Sequence, residues 1–302
     1  MTTATVAPIG SELGTARSVG YFENGSPEWH EQRAKGIGGS DVGTICGLSQ
    51  WESPYTWVAK RLGKIPNPPL DSEPVEWGTR LEAPILDAFI EKHPHLTVHR
   101  YVGTWSHVDR PWQQANPDAL YQTADGTWGV VEVKTARYED GWDEKAGTIP
   151  PSYRAQVLWY LQTFGFKHAY VVVLFSGSKF RVFEVNYNEF EADTNLAIAM
   201  DFKQFVDTDT LPPFSAPFND TYETVRYLHP QIDDTEVELG PIGREYFEAV
   251  LDAARATAEV DLCKSEVLAL MGNAKRGLLD GNWVLTRQAR AGGTPYIVNK
   301  RS

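Results

Sequence analysis

Two short segments carry the residues best suited to chemistry: Asn116-Pro117-Asp118 and Val131-Glu132-Val133-Lys134. In an extended strand successive side chains alternate faces, so Glu132 and Lys134 point one way and Val131 and Val133 point to the opposite, buried side. A charged pair flanked by valines on a strand is costly to bury without a purpose. Residues 111–121 and 127–135 read as two strands of a hairpin around a turn at 124–126, which sets Asp118 beside Glu132. Two neighbouring carboxylates repel each other and invite a hard cation. Mg²⁺ takes such oxygen ligands, with a backbone carbonyl (that of Val133 is suitably placed) and waters completing its octahedron. Such an ion polarises a phosphodiester and lowers the pKa of a bound water. Lys134 would hold or activate that water and offset developing negative charge. The competing reading is an exposed salt bridge on a strand, because a Glu-x-Lys triplet alone recurs by chance.

The elements that must position these groups are legible in the pattern. Residues 26–34 form a short helix with Ser at the cap and Pro at the first position. GIGGSDVGTICG (36–47) marks a tight turn, with Ser40 and Asp41 as helix starters. Residues 53–63 repeat the Ser-Pro start and end at Gly63, and residues 64–74 are a proline-rich loop. Residues 75–92 carry Trp77, Leu81, Ile85, Ala88 and Phe89 at helical spacing. The period then changes, and residues 96–108 alternate like strands. Residues 150–164 form a helix between prolines and Gly165. Residues 168–175 and 179–185 form a hairpin, and residues 188–206 a helix. Residues 207–240 are acidic and loop-like, 241–271 one long helix, and 282–298 a terminal hairpin. The sum is an α/β core with a central mixed β-sheet and helices on both faces.

The bulk numbers limit the function classes. The chain has 302 residues and a net charge of −12, with 42% hydrophobic and 23% charged residues, the balance of a globular protein. The acidity argues against general coating of DNA but permits a local basic track, or a site where metal ions neutralise phosphate. The polar first 20 residues read as a flexible lead-in without signal-peptide character, and no apolar run is long enough to span a bilayer, so a cytoplasmic protein without membrane contact is expected. Cys46 and Cys263 are expected to be free thiols, and without a CxxC there is no zinc or iron–sulfur ligand set. His93 and His95 flank a proline and suit a surface role.

In order along residues 26–190, the chain resembles the lambda-exonuclease and YqaJ-type viral recombinase family of the PD-(D/E)xK nucleases. The resemblance rests on Trp29-His30 with Arg33, Gly38-Gly39-Ser40-Asp41, and Gly78 and Glu82 in WGTRLE. It continues through Asn116-Pro117-Asp118, Glu132-Val133-Lys134, and Gln156 and Tyr160 in AQVLWYL. It implies a restriction-endonuclease-like core. It also implies a Mg²⁺-dependent DNA exonuclease, with Mn²⁺ as a substitute, acting 5′ to 3′ on linear double-stranded DNA ends in phage-type recombination. By resemblance Asp118, Glu132 and Glu82 bind metal, Lys134 assists the water, and Arg33 and Ser40 contact the 5′-terminal phosphate. The local physics agrees, since free N–H groups at a helix start attract anions and Arg can fork onto phosphate oxygens. The plainer readings are a helix cap for Ser40, a surface ion pair of Arg33 with Glu28 or Glu31, and an exposed helix acid for Glu82. Gln156 and Tyr160, at i and i+4, share a helix face, and Gln156 would bond the attacking water or a phosphate. Trp29, Trp51 and Trp57 suit a core, with one available to stack on a terminal base. Lys60, Arg61, Lys64 and Arg137 would line a DNA track.

The expected division is a lead-in (1–20), a nuclease domain (21–218) and a C-terminal extension (219–302). The extension would serve as an oligomer contact, an arm over DNA, or a docking surface for a single-strand annealing protein. Relatives include ring-shaped trimers, so a homo-oligomer is a further implication of the resemblance. Two other functions stay open: an endonuclease of the same fold (restriction, repair or junction cutting), and a catalytically dead DNA-end-binding protein.

Overall fold

The alternating residues between 97 and 186 divide between two sheets, and the chain leaves the main sheet after residue 100 and returns to it through Asn116-Pro117-Asp118. The computed structural model describes residues 3–4, 7–68, 72–215 and 219–300. In chain order the first part gives β1 (Thr3–Ala4), β2 (Glu12–Leu13), β3 (Ala16–Gly20), α1 (Pro27–Ala34), α2 (Gly39–Ile45), α3 (Pro54–Arg61) and α4 (Glu73–Lys92). Then come β4 (Thr97–Arg100), β5 (Thr104–His107), β6 (Gln114–Ala115), β7 (Ala119–Gln122), β8 (Trp128–Ala136), α5 (Pro151–Phe164), β9 (His168–Phe175), β10 (Lys179–Asn186), α6 (Glu189–Asp207) and α7 (Asn219–Leu228). The remainder gives α8 (Gly240–Met271), β11 (Arg276–Leu279), β12 (Asn282–Gln288) and β13 (Tyr296–Asn299).

Local chemistry explains the helix starts. The Ser26 and Ser53 hydroxyls accept from the Trp29 and Thr56 N–H groups, and Asn188 accepts from Glu191, each satisfying a donor the helix leaves free. Gly165 ends α5 at φ 73°, a left-handed cap that costs glycine little.

The main sheet has the order β1-β4-β7-β8-β9-β10. The β8–β9 and β1–β4 pairs are parallel and the other pairs antiparallel, so the sheet is mixed, as expected. α5 connects β8 to β9. One face, with Val131, Val133 and Val172, packs with Ile85, Leu86 and Phe89 of α4. The other, with Val130, Val171 and Val173, joins Val157, Leu158 and Leu161 of α5 in the larger core. A second sheet has the order β2-β3-β5-β6.

Several expectations change. Residues 96–108 are two strands in different sheets, separated by Tyr101 and Gly103 at positive φ. The expected strand 111–121 likewise breaks into β6 and β7, one per sheet, with Asn116-Pro117-Asp118 as the crossing. Residues 7–20 are no free lead-in. β3 pairs with β5, Ala16 is fully buried, and Thr15 donates its N–H to the Phe164 carbonyl at 3.0 Å. Within the acidic stretch 207–240, α7 forms and bonds to α3's start, with Asp220 accepting from the Ser53 N–H at 2.7 Å and Thr224 sharing a 2.7 Å hydroxyl contact with Thr56. The terminal hairpin is a three-stranded sheet, β11-β12-β13. The chain divides into Met1–Gln231 and Ile232–Ser302, which puts α7 with the first unit instead of the extension. Among the described residues no helix is long and apolar enough to cross a membrane, and both cysteines are free.

Candidate active site

β8 lies inside the main sheet, between β7 and β9. Its alternation aims Glu132 and Lys134 at α5, where Gln156 and Tyr160 wait one turn apart. Glu132 is 2% exposed. Its Oε1 accepts from Lys134 Nζ and from Gln156 Nε2, both at 2.6 Å. Gln156 Oε1 in turn accepts from Lys134 Nζ at 3.0 Å, closing a ring of three side chains. Gln156 Nε2 also reaches the Tyr160 hydroxyl at 3.0 Å, which donates to the Asn116 carbonyl at 3.2 Å. Gly39 makes this possible: a Cβ there would lie 2.4 Å from the Tyr160 ring.

Asp118 sits one residue before β7, and the Ala119–Val131 register sets it opposite Glu132. Its Oδ2 accepts from the Val133 N–H at 2.6 Å. Glu82 approaches from α4, on the other side of the sheet, near enough to feel Glu132 and Lys134. Burial first, and then repulsion from Glu132 and Glu82, holds the Asp118 carboxyl well above its usual range, against the pull of Lys134 and the Val133 N–H. Burial and Glu132 likewise raise Glu82. Burial alone would lower the Lys134 ammonium, but Glu132 and Asp118 outweigh it and leave it raised. Lys134 also lies 4.9 Å from the Tyr153 ring centroid.

Three carboxylates with one ammonium leave an excess of negative charge. Glu132 Oε2 is buried and has no hydrogen-bond partner, a costly state for a carboxylate oxygen. The donor set is hard oxygen, the orphaned atom faces its neighbours' repulsion, and a divalent cation would answer both. Among the described residues, however, no three His, Cys, Asp or Glu side chains already form a ligand cluster. The residue types still fit a divalent cation, for which the bare Glu132 oxygen, Asp118 and Glu82 are the carboxylates to hand.

A second charged cluster lies close by, since Arg33 acts electrostatically on Tyr160. Arg33 Nη2 donates to the Ser40 hydroxyl at 2.7 Å, and its guanidinium lies 4.6 Å from the Trp29 ring centroid. Its charge partner is Asp41, at 3.6 Å, and neither Glu28 nor Glu31. Asp41 is the hub: it accepts from the Gly38 N–H at 2.8 Å, Trp57 Nε1 at 3.1 Å and Arg61 Nη2 at 3.0 Å. Arg61 Nη1 also donates to the Arg33 carbonyl at 2.8 Å. Burial would raise the Asp41 carboxyl, but Arg61 and Arg33 hold it below its usual range. The helix cap is Gly38, so the exposed Ser40 hydroxyl is turned toward Arg33 instead of the backbone.

The structure thus joins Glu132, Lys134, Gln156 and Tyr160 directly, sets Asp118 opposite Glu132 on the neighbouring strand, and brings Glu82 and Arg33 within electrostatic reach. What it shows of Val133 is an N–H on Asp118. Arg137 lies past the end of β8, exposed and stacked over Tyr138. Lys60 pairs with Glu52 and Lys64 with Asp209. Trp57 is core, whereas Trp51 is 83% exposed. Sequence reasoning missed Tyr153, although it stands three residues before Gln156 and so shares its helix face. It also missed the bracing of Arg33 by Arg61, for which spacing gives no signal.

A mixed sheet with α4 and α5 on opposite faces, Glu132 and Lys134 on its inner strand β8 and Asp118 leading into the neighbouring β7 is the restriction-endonuclease-like fold. Residues 28–167 match the YqaJ-like viral recombinase domain, the family that the motifs resemble. The chain is 28% identical over 282 residues to the uncharacterized protein YqaJ of Bacillus subtilis (strain 168), spanning 90% of this chain and 84% of that protein. It superposes on the alkaline exonuclease LHK-Exo of Laribacter hongkongensis with TM-score 0.51 at 16% identity, over 61% of this chain and 94% of the other. The same exonuclease in complex with dAMP gives TM-score 0.52 at 17% identity over 61% and 94%. At that identity the likeness speaks for the fold.

Proposed function

We propose that this chain is a metal-dependent nuclease that hydrolyses DNA phosphodiester bonds, working as an exonuclease from the 5′ ends of linear duplexes, with Mg²⁺ or Mn²⁺. The observation that carries the reading is Glu132. One of its oxygens is bound by Lys134 and Gln156, and the other is buried and bare among raised carboxyls. A divalent cation held by Glu132, Asp118 and Glu82 would polarise the phosphodiester and acidify a water. Lys134, kept charged and aimed by Glu132 and Gln156, would orient that water and steady the charge growing on phosphate. Gln156, locked by Tyr160, would fix the angle of approach. Arg33 and Ser40 would seat a 5′-terminal phosphate, and such a seat favours end-directed digestion over internal cutting. The fold shared with an alkaline exonuclease and the match to a viral recombinase domain support the same reading. In recombination, the single strands so exposed would pass to an annealing protein.

A digestion assay with Mg²⁺ tests this. Substrates are 5′-phosphorylated linear duplex, 5′-hydroxyl duplex, single strands and supercoiled circles, with Lys134→Ala alongside. The 5′-phosphorylated duplex should be degraded fastest, and circles should survive. Full activity of Lys134→Ala would sink the site assignment. Efficient cutting of circles would favour an endonuclease, and no cleavage of any DNA would favour an end-binding role.

A further inference from the structure

The second unit presents a surface with no counterpart in the nuclease reading. α8 is 32 residues long, about 48 Å at 1.5 Å per residue, and Gly243 is its one fully buried residue among those described. Starting at Leu239 and alternating steps of three and four, the chain reads Ile242, Tyr246, Ala249, Ala253, Ala256, Val260, Cys263, Val267 and Leu270. That is an unbroken apolar seam over four heptads, the repeat that drives two helices to supercoil. The seam is exposed, as is most of the helix: Ile242 is 66% exposed, Tyr246 61%, Val260 50% and Leu270 89%. A monomer gains nothing by keeping such a stripe in water.

The flanking charges select the partner and its direction. The residue preceding each first-position seam residue is acidic at every turn of the repeat: Glu245, Asp252, Glu259 and Glu266. In an antiparallel pair these acids would face one another across the seam. In a parallel pair each faces the residue five places on in the other helix, namely Val250, Thr257, Lys264 and Met271. No acid then meets an acid, and Glu259 meets Lys264. We infer that α8 is a self-association helix that pairs in parallel with α8 of a second copy of this chain.

The second copy can be caught through Cys263, which occupies a seam position and is exposed. A parallel pair in register sets two Cys263 thiols face to face; an antiparallel pair, which layers first-position against fourth-position residues, sets Cys263 against Tyr246. Cys46 is half-buried, and burial pushes its thiol up to about 11, so it competes poorly. The full chain is treated with a mild copper–phenanthroline oxidant and run on a non-reducing gel, with light scattering on the untreated protein. A disulfide-linked dimer is expected. It should vanish in Cys263→Ser and persist in Cys46→Ser. In Val260→Asp, an exposed position whose change spares the fold, cross-linking should fall by more than about tenfold, because a carboxylate would be buried in the seam. A monomer by light scattering would overturn the inference. So would an oligomer that forms no Cys263 cross-link, or one whose cross-linking is indifferent to Val260→Asp. None of these readouts depends on nuclease activity.

Discussion

The first unit contains two charged clusters that are built on opposite principles. Around Asp41 one carboxylate meets two guanidiniums, an indole N–H and a backbone N–H, and its acidity rises despite burial. Around Glu132 three carboxylates share one ammonium, one oxygen is left bare, and Asp118 and Glu82 become harder to ionise. The first cluster is electrostatically complete and acts as a brace: it ties α1, α2 and α3 together and fixes Arg33. The second is incomplete, and the missing charge is positive. A fold tolerates such a deficit where a ligand supplies the remainder.

Substitutions separate a brace from a centre. Lys134→Ala should cost on the order of a thousandfold in DNA cleavage by protein that is still folded, with some loss of stability because buried Glu132 loses its charge partner. A folded variant that cuts normally breaks the contrast. Asp41→Asn should act chiefly on stability. Stripping the charge from a mostly buried ion pair is expected to remove about 3 kcal/mol of stability, read by denaturant titration; a loss under about 1 kcal/mol would show that the cluster is not a brace. Arg33→Ala should slow digestion of 5′-phosphorylated duplex by roughly tenfold or more while changing 5′-hydroxyl duplex less. Equal effects on both would remove the phosphate seat. Tyr160→Phe, which deletes the link from Gln156 to Asn116, should cost about 1 kcal/mol of stability, measurable as a small fall in melting temperature.

Stability against pH, measured with a chelator present, sharpens the contrast further. A carboxyl raised in the fold contributes stability below its ordinary value, 3.8 for Asp118, and loses it as pH rises through the shifted value. Asp41 is lowered, so its contribution is present above 3.8 and fades as pH falls through the lowered value. Asp118→Asn, which keeps an acceptor for the Val133 N–H, should therefore gain melting temperature over the parent, by more as pH rises. A gap that stays flat or shrinks with rising pH would contradict the raised Asp118 carboxyl.

Much of this was open to a reader of the sequence, for identifiable reasons. Ser26-Pro27 and Ser53-Pro54 mark α1 and α3 because caps are local chemistry, and β9 matches its expected bounds because a continuous apolar run between turns leaves few options. Glu132 and Lys134 stand out because period-two alternation makes two charges amid valines conspicuous. Local pattern failed where pairing decides. β4 and β5, and β6 and β7, look continuous in the chain yet belong to different sheets, since strand partners lie far off in sequence. β3 reads as a polar lead-in because its stability comes from β5 and the end of α5. α7 hides in an acidic stretch because its anchors are Ser53 and Thr56, more than a hundred residues earlier.

The sequence by itself determined which residues carry charge, which faces of β8 and α5 they occupy, and the seam along α8, since each follows from periods of two, 3.6 or 3.5 within one element. Only the tertiary structure decided which charges meet. It let Asp41 collect Arg33 and Arg61 and complete itself, and left Glu132 with one oxygen bare. Coulomb energies depend on distances between elements, and those distances are set by packing that no single segment records.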